Sequence, residues 1–261
     1  MLELDISPEG VATLTLNRPE VHNAFNSELV NALIMQLDAL TENPKIRALL
    51  LTSNGKHFSS GADLNWMQEM ATHTPFQNHK EAQTLAELLH KLDVFPHPTI
   101  AAINGAAFGG AIGLICCCDI AVANPESKFC LSEVKLGLIP ATIGPYVIRA
   151  MGVRQSRRYF LTAEIIKSQH AVQLSLIHEI NEDPIQAAKD LIHNLLFNGP
   201  NALAQAKKVI ALCEQHPLDK ELRRTTSQMI AEIRVSKEGQ EGVQAFFDNR
   251  SPSWHDEHQD S

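Results

Sequence analysis

A glycine-rich stretch in the middle of the chain has the residue types needed to stabilise negative charge. Residues 98–103 form a short apolar run rich in β-branched side chains that predicts a strand, and Asn104-Gly105 predicts a tight turn after it. Gly109-Gly110 and the small apolar residues that follow predict the start of a helix. The first N–H groups of a helix have no acceptor within it, and glycine lets a ligand approach the backbone. We therefore expect this helix to begin at a site for negative charge.

Two other interpretations fit the same stretch. Residues 98–118 contain no charged side chain, and their glycine spacing resembles that of packed membrane helices. Asn104 and the glycines interrupt the run, Asp119 ends it, and no cluster of Lys or Arg flanks it, so we expect no membrane span. The second alternative is that the glycines only allow tight packing.

The composition is that of an ordinary water-soluble globular chain. Of its 261 residues, 44% are hydrophobic and 20% are charged, and the net charge of −8 argues against a nucleic-acid partner. The acidic N-terminus lacks the apolar segment of a secretory signal, so we expect a cytoplasmic location. The five cysteines and twelve histidines show neither disulfide nor metal-ligand spacing. We expect buried cysteines and no metal site.

Strands and helices alternate in the first half of the chain. Alternating apolar and polar residues on both sides of Pro8-Glu9-Gly10 predict a β-hairpin of residues 2–6 and 11–16. Ser27 is expected to cap a helix that ends before Pro44, because leucines recur there at helical spacing. Further strands are predicted at residues 48–52, 120–123 and 128–130, and a second helix at about 76–93.

Beyond Pro140 the pattern becomes helical, apart from residues 175–180, which are predicted to be extended. The apolar faces of the last helices cannot be buried within that segment alone, so we expect them to pack on the core or on another subunit. We divide the chain into a core of residues 1–200 and a C-terminal helical region of residues 201–261. The predicted helices cover residues 143–151, 153–162, 184–198, 201–214, 219–234 and 237–248.

Seven motifs lie in order along about residues 3–254. Two of them are Phe58-Ser59-Ser60-Gly61-Ala62-Asp63-Leu64 and Gly105-Ala106-Ala107-Phe108-Gly109-Gly110, and the others lie at residues 17–19, 118–121, 129–133, 137–140 and 237–246. With these motifs in register, the chain resembles the crotonase superfamily of enoyl-CoA hydratases and isomerases. The sequence of residues 105–146 is most similar to those of bacterial methylglutaconyl-CoA hydratases and related branched acyl-CoA hydratases.

The resemblance implies an α/β fold, a spiral of ββα units with a C-terminal α-helical oligomerisation region. Residues 1–200 would bind and transform an acyl-CoA, and residues 201–261 would build a homotrimer or a dimer of trimers. No separate cofactor is implied, because coenzyme A is part of the substrate. Neither a nucleic acid nor a membrane is an expected partner.

The resemblance also implies an oxyanion hole for the thioester oxygen. By motif, its two backbone N–H groups belong to Ala62 and Gly110, and preorganised donors of this kind stabilise an enolate. Arg18 and Lys56 are weaker candidates for binding phosphate, since both also fit an ordinary solvated surface charge. The residues expected to hold the CoA moiety are Val21, Asn23, Ala24, Ala62, Asp63 and Leu64.

Hydratases of this family usually carry two catalytic glutamates. The second matches Glu133, whereas Gly113 stands where the first is expected, three residues after Gly110. Glu133 would then act alone with an ordered water, or another group from residues 66–69 or the C-terminal helix would replace the missing acid. As a third possibility, the reaction is an isomerisation or decarboxylation, which needs fewer proton-transfer groups.

The leading hypothesis is an enoyl-CoA hydratase acting on a branched, carboxylated chain such as 3-methylglutaconyl-CoA, as in leucine catabolism. Gly113 is expected to leave extra room beside the β-carbon of the substrate and so to belong to the substrate-binding set. The alternatives are an isomerase or decarboxylase of the same family, or a relative that binds acyl-CoA without turning it over.

Overall fold

The computed structural model describes residues 1–256, so the last five residues of the predicted C-terminal region lie outside the described part. The chain begins with the predicted hairpin, in which Leu4 pairs with Leu14 across two antiparallel strands. The strands are β1 (Leu2–Ile6), β2 (Val11–Leu16), β3 (Ala48–Ser53), β4 (Thr99–Ile103), β5 (Ala106–Phe108), β6 (Ile120–Ala123), β7 (Lys128–Cys130), β8 (Ile166–Lys167) and β9 (Glu179–Ile180).

The helices follow most of the predicted boundaries. Helix α1 is capped by Asn26, whose side chain accepts the Leu29 N–H at 2.9 Å, so the expectation that Ser27 is the cap is wrong. Gly152, with φ of 74°, interrupts α5 between the two helices predicted there. The helices are α1 (Ser27–Glu42), α2 (Leu64–Thr72), α3 (Pro75–Asp93), α4 (Gly110–Cys117), α5 (Gly144–Thr162), α6 (Ser168–Gln173), α7 (Pro184–Leu196), α8 (Pro200–Gln215), α9 (Lys220–Val235), α10 (Lys237–Asp248) and α11 (Ser253–Asp256).

A six-stranded sheet in the order β1-β2-β3-β4-β6-β9 forms the centre, and its strands are parallel except for the hairpin pair. Both faces of the sheet are covered, which explains why β3 is buried along its whole length. Leu49 and Leu51 point into the main core with α1 and α3. Ala48 and Leu50 point to the other face, where they pack with Ile192 of α7 and its neighbours.

A second sheet of three short strands, in the order β5-β7-β8, lies after the turn that ends β4. Strand β5 is parallel to β7, with Phe108 opposite Cys130. Because the carboxyl ends of parallel strands meet at one edge, the residues that follow Phe108 lie beside those that follow Cys130. This edge brings together two segments that are separated by about twenty residues in the sequence.

The C-terminal helices α8, α9 and α10 are much less buried than the core. Helix α8 has no fully buried residue, whereas α9 has Leu222 and α10 has Ala245. Lys207 of α8 ties this region to the sheet, since its Nζ donates to Asp119 Oδ2 at 2.6 Å and to the His97 carbonyl at 2.9 Å. Within residues 1–256, no helix combines the length and the apolar character needed to cross a bilayer.

The cysteines are mostly small core residues, as expected. Cys117, Cys118 and Cys130 are buried, and Cys116 is half-buried. Cys213 on α8 is exposed, so the expectation of burial is wrong for this residue.

Candidate active site

The start of helix α4 lies directly beside Glu133. The Gly109 N–H donates to the Cys130 carbonyl at 3.0 Å, which holds the β5 end against the β7 end. Gly109 has φ of 53° and ψ of −124°, a conformation that only glycine adopts readily. A Cβ atom on Gly109 would lie 3.3 Å from Glu133 Oε1. The turn before α4 and the Glu133 carboxyl therefore face each other across a gap of van der Waals size.

The segment that contains Ala62 lies on the other side of β5. The Phe108 N–H donates to the Ser59 carbonyl at 3.0 Å. Ala62 forms a parallel bridge with Phe25, in which the Phe25 N–H donates to the Gly61 carbonyl at 2.7 Å and the Asp63 N–H donates to the Phe25 carbonyl at 2.8 Å. These bonds hold Ala62 next to the glycine turn.

Two backbone N–H groups at this place are free of internal acceptors. The bridge pattern uses the N–H groups of Phe25 and Asp63 and leaves the Ala62 N–H without an acceptor in residues 1–256. Gly110 is the first residue of α4, and its N–H likewise has no acceptor in that range. Phe25 contacts both segments, since its ring lies 3.3 Å from the position of a Cβ on Gly110 and its backbone bridges Ala62. Two unpaired donors held near one residue are suited to an oxygen that gains negative charge.

Glu133 is a half-buried carboxyl group with an unused oxygen. It is the first residue of a 3₁₀ turn, Glu133–Leu136, and its Oε2 is buried without a hydrogen-bond partner among the described residues. Burial raises the pKa of Glu133 above its ordinary value, and a hydrogen bond from its own backbone N–H opposes that rise only in part. A carboxyl group with a raised pKa can both take and return a proton near neutral pH.

Gly113 does not face an open space, and the expectation that it leaves room for substrate is wrong. A Cβ atom there would lie 2.4 Å from Cγ2 of Ile143 and 3.1 Å from Cδ2 of Leu89. Gly113 is buried in the contact that α4 makes with α3 and with the start of α5. The space that a glutamate would need at this position is occupied by Ile143, so the site has no second carboxyl group at this position.

Asn23 is fully buried and its side chain is engaged within the protein. Its Oδ1 accepts the Arg18 N–H at 2.8 Å, and its Nδ2 donates to the carbonyls of Asn54 and His57 at 2.9 and 2.8 Å. The Asn23 side chain is therefore used within the protein, and the expectation that the turn around Val21, Asn23 and Ala24 holds the CoA moiety stays a prediction. Its role is to fasten the turn after β2 to the segment after β3.

The other residues expected at the CoA moiety divide into buried and exposed ones. Asp63 is buried, caps α2 through the Asn65 N–H at 2.9 Å, and pairs with Arg18 at 3.1 Å. Arg18 also donates to the Ala24 carbonyl at 2.6 Å, so its guanidinium is engaged and is a poor candidate for phosphate. Among these residues, Ala24 is buried, Val21 is half-buried, and Ala62, Leu64 and Lys56 are exposed.

No motif singled out Phe25 or Ile143, although each shapes the site. Phe25 is held by the bridge to Ala62, and Ile143 fills the volume beside Gly113. Phe25 lies just after the predicted CoA turn, and its position in an otherwise polar segment was the one available signal. The contact between Ile143 and Gly113 joins residues thirty positions apart, and nothing local in the sequence indicates it.

The geometry agrees with what comparison to known proteins shows. A family model described as enoyl-CoA hydratase/isomerase matches residues 7–257. The chain belongs to the enoyl-CoA hydratase/isomerase family. The structure of an enoyl-CoA hydratase from Shewanella pealeana is 50% identical, with a TM-score of 0.95 over 97% of this chain and 95% of that one.

Other relatives extend the comparison over nearly the whole chain. The 2,3-dehydroadipyl-CoA hydratase of Escherichia coli is 31% identical over 97% of this chain and 99% of its own length. The structure of Pseudomonas aeruginosa AtuE is 32% identical, with a TM-score of 0.93 over 97% of this chain and 98% of that one. These matches confirm the predicted crotonase fold. Several relatives are named as enoyl-CoA hydratases, and the protein is an enzyme of this family.

Proposed function

We propose that the protein adds water to the double bond of an α,β-unsaturated acyl-CoA thioester. The observation that carries this proposal is the grouping of two acceptor-free N–H groups, of Ala62 and Gly110, with the Glu133 carboxyl group, whose Oε1 lies beside the glycine turn and whose Oε2 has no partner among the described residues. We assign the two N–H groups to the thioester oxygen and Glu133 to the proton transfers.

In this mechanism Glu133 acts alone. Its carboxylate takes a proton from a water molecule as the water oxygen forms a bond to the β-carbon. The electron pair of the double bond moves towards the thioester, and the negative charge on its oxygen is stabilised by the N–H groups of Ala62 and Gly110. The carboxyl group of Glu133 then returns the proton to the α-carbon, which regenerates the carboxylate. Coenzyme A arrives with the substrate, so the reaction needs no other cofactor.

The acyl chain that we propose is branched and ends in a carboxylate, with 3-methylglutaconyl-CoA as the first candidate. The resemblance of residues 105–146 to methylglutaconyl-CoA hydratases supports this choice. A second support is the Escherichia coli relative, which is named for 2,3-dehydroadipyl-CoA, an acyl chain that also ends in a carboxylate. Gly113 contributes no support, because Ile143 occupies the space beside it.

Isomerisation is the second candidate, and the absence of a carboxyl group at Gly113 favours it. A double-bond shift needs one group that moves a proton between two carbons, and Glu133 with the two N–H groups meets that need. Decarboxylation, or acyl-CoA binding without turnover, would use the same N–H groups without a second acid. One relative, from Streptococcus mutans, is named as a trans-2-decenoyl-[acyl-carrier-protein] isomerase and is 27% identical.

A panel of acyl-CoA thioesters with detection by mass separates these reactions. The panel contains crotonyl-CoA, 3-methylcrotonyl-CoA, glutaconyl-CoA and 3-methylglutaconyl-CoA. Hydration adds the mass of water, isomerisation leaves the mass unchanged while the chromatographic position shifts, and decarboxylation removes carbon dioxide. We expect gain of water, fastest with 3-methylglutaconyl-CoA. Loss of carbon dioxide, or binding with no product, would contradict the proposal.

We also propose that the C-terminal helices assemble the chain into a homotrimer or a dimer of trimers. Their exposed apolar side chains would be costly to leave in water over so large an area. Light scattering should give a stable mass of three or six chains across micromolar dilution, and a stable single-chain mass would contradict the proposal. The exposed side chains are Ile210, Ile230, Val235, Val243, Phe246 and Phe247.

A further inference from the structure

Three side-chain atoms within residues 1–256 are buried and lack a hydrogen-bond partner. One is Glu133 Oε2, and the others are Trp66 Nε1 and His73 Nδ1 on the α2 segment. Buried donors are nearly always paired, because a donor taken from water without an acceptor destabilises the fold. Trp66 Nε1 can only donate. An acceptor brought by a ligand would satisfy it.

Trp66 lies close in the chain to the proposed oxyanion hole. Ala62 comes two residues before α2, and Trp66 is the third residue of the helix. From Ala62 to Trp66 the chain takes two steps in extended conformation and two in the helix, so the two backbones lie within about 10 Å, a distance that a short acyl chain and the indole side chain can span together. The Trp66 side chain is half-buried and packs against the main core, and its Nε1 atom is buried. A thioester held at Ala62 would therefore have the far end of its acyl chain within reach of this indole.

Two other donors in the described part of the chain are less suited to this role. The Arg18 guanidinium is paired with Asp63 and with the Ala24 carbonyl. His73 lies at the opposite end of α2, about 10 Å further along the helix. The indole N–H can donate to an anion, and in this structure it is not paired with the Glu133 carboxylate. Of these three donors, Trp66 is the candidate for the distal end of the substrate.

We propose that Trp66 determines acyl-chain specificity by donating its indole N–H to the carboxylate at the far end of the acyl group. The inference rests on the proposed function, since it needs an acyl-CoA with its thioester at Ala62 and Gly110. The second tryptophan of the chain serves as the control for the loss of an indole. Trp254, the second tryptophan, donates its Nε1–H to the Phe197 carbonyl at 3.2 Å and is already satisfied.

The test compares two unreactive ligands of equal length, glutaryl-CoA and pentanoyl-CoA, which differ only in the terminal carboxylate. Calorimetric titration should show that the wild-type protein prefers glutaryl-CoA. Trp66→Phe keeps an aromatic ring but removes the donor, and we expect it to weaken glutaryl-CoA binding by about 10-fold to 100-fold, the range for a hydrogen bond to a charged group. Pentanoyl-CoA binding should change by less than about threefold, and Trp254→Phe should change neither.

The outcomes separate the two proposals. If Trp66→Phe keeps the preference for glutaryl-CoA, or weakens both ligands equally, the inference about Trp66 is wrong while acyl-CoA binding stands. If the wild-type protein binds neither ligand, the proposed function itself fails. A second measurement uses no Trp66 variant. In a Trp254→Phe background the fluorescence reports Trp66 alone, and it should respond to glutaryl-CoA more strongly than to pentanoyl-CoA at saturation; equal responses would contradict the proposal.

Discussion

Gly110 and Gly113 lie one turn apart on α4 and have opposite surroundings. Gly110 begins the helix, its N–H has no acceptor in the described chain, and the nearest obstacle to a side chain is the Phe25 ring at 3.3 Å. Gly113 lies inside the helix, and a side chain there would meet Ile143 at 2.4 Å. The first glycine leaves a backbone donor accessible, whereas the second allows two helices to approach. One residue type thus serves a chemical role and a packing role within four positions.

This contrast changes the interpretation of the missing carboxylate. Residues three apart on a helix share a face, so a glutamate at position 113 was expected to face the same space as Gly110. In this chain the start of α5 closes that space with Ile143. The site is therefore built for one carboxyl group, and the variants below test whether Glu133 and Gly110 carry the chemistry while Gly113 carries only packing.

The largest expected effect comes from Glu133→Gln. Gln has nearly the same shape but cannot take a proton, so hydration should fall by about 10²–10⁴-fold, the range for one acid or base group. Acyl-CoA binding should persist, because the proposed thioester contacts are backbone groups. Steady-state kinetics with separate binding titrations checks both. Glu126→Gln, which alters an exposed carboxylate just before β7, is the matched control. Unchanged turnover in Glu133→Gln would place the chemistry elsewhere.

The pH dependence of wild-type activity gives a second test of Glu133. Because burial raises the pKa of Glu133, the acidic limb of kcat/KM should lie above pH 4.5, the ordinary value for glutamate. Activity should fall as the pH decreases through that limb, since the protonated group cannot act as a base. The limb should be missing from any residual activity of Glu133→Gln. A limb that persists in the variant would belong to another group.

A smaller loss is expected from Gly110→Pro, which removes the proposed oxyanion donor. Proline is tolerated at the first position of a helix, so the fold should survive. Loss of one such donor typically lowers kcat by about 10²–10³-fold. Gly110→Ala keeps the N–H, and its Cβ would meet the Phe25 ring at 3.3 Å, a contact that a small ring shift relieves. Alanine should retain activity to within about tenfold. Equal losses in the two variants would show that crowding, rather than the N–H, matters.

Gly113→Ala should affect stability rather than chemistry. Its Cβ would overlap Ile143 Cγ2, and overpacking of this kind costs about 1–3 kcal/mol of unfolding free energy. Ile143→Ala removes Cγ2, so the double variant should be more stable than the sum of the two single losses predicts, with a coupling of about 0.5–3 kcal/mol. Denaturant unfolding measures the cycle. Strict additivity would mean that Ile143 does not fill the space beside Gly113.

A larger side chain at the same position should be worse. Gly113→Glu would force a carboxyl group into the contact between α4 and α5, and the protein should lose solubility or unfold at low denaturant. Higher activity in a folded Gly113→Glu variant would instead show that the space can open.

Much of the fold was predictable because it depends on local patterns. The hairpin, the leucine face of α1 and the boundaries of α7 to α10 follow from periodicity, and the predictions at these places are confirmed. The elements that were missed are β5, α2, β8, α6 and α11. Strand β5 is three residues long, too short for an alternation to appear. Helix α2 is nine residues long and has no fully buried residue, so it is a short surface helix beside the core.

The candidate site was predictable only where the backbone supplies the chemistry. The glycine turn indicated Gly110 directly, because a helix start and a flexible residue pair are local features. The environments of Asn23 and Gly113 were not predictable, since each depends on contacts with distant segments. Asn23 bonds to residues after β3, and Gly113 packs on α3 and α5. Burial set by tertiary contacts decides whether a polar or small residue faces substrate or the interior.

The smallest expected effect is a gain in stability, and it tests whether burial of the Glu133 carboxylate destabilises the folded protein. The pKa of Glu133 is higher in the folded chain than in the unfolded one, because burial penalises its charged form. The folded state therefore keeps the proton to a higher pH, and stability is lost as the pH rises through the folded pKa. Glu133→Gln cannot ionise, so its melting temperature should exceed that of wild type by an amount that grows as the pH rises above 4.5, the ordinary value for glutamate, and levels off above the folded pKa. The exposed control Glu126→Gln should show no such trend. A difference independent of pH would mean that Glu133 is not destabilised by burial, and it would remove the physical basis for its activity as a proton carrier near neutral pH.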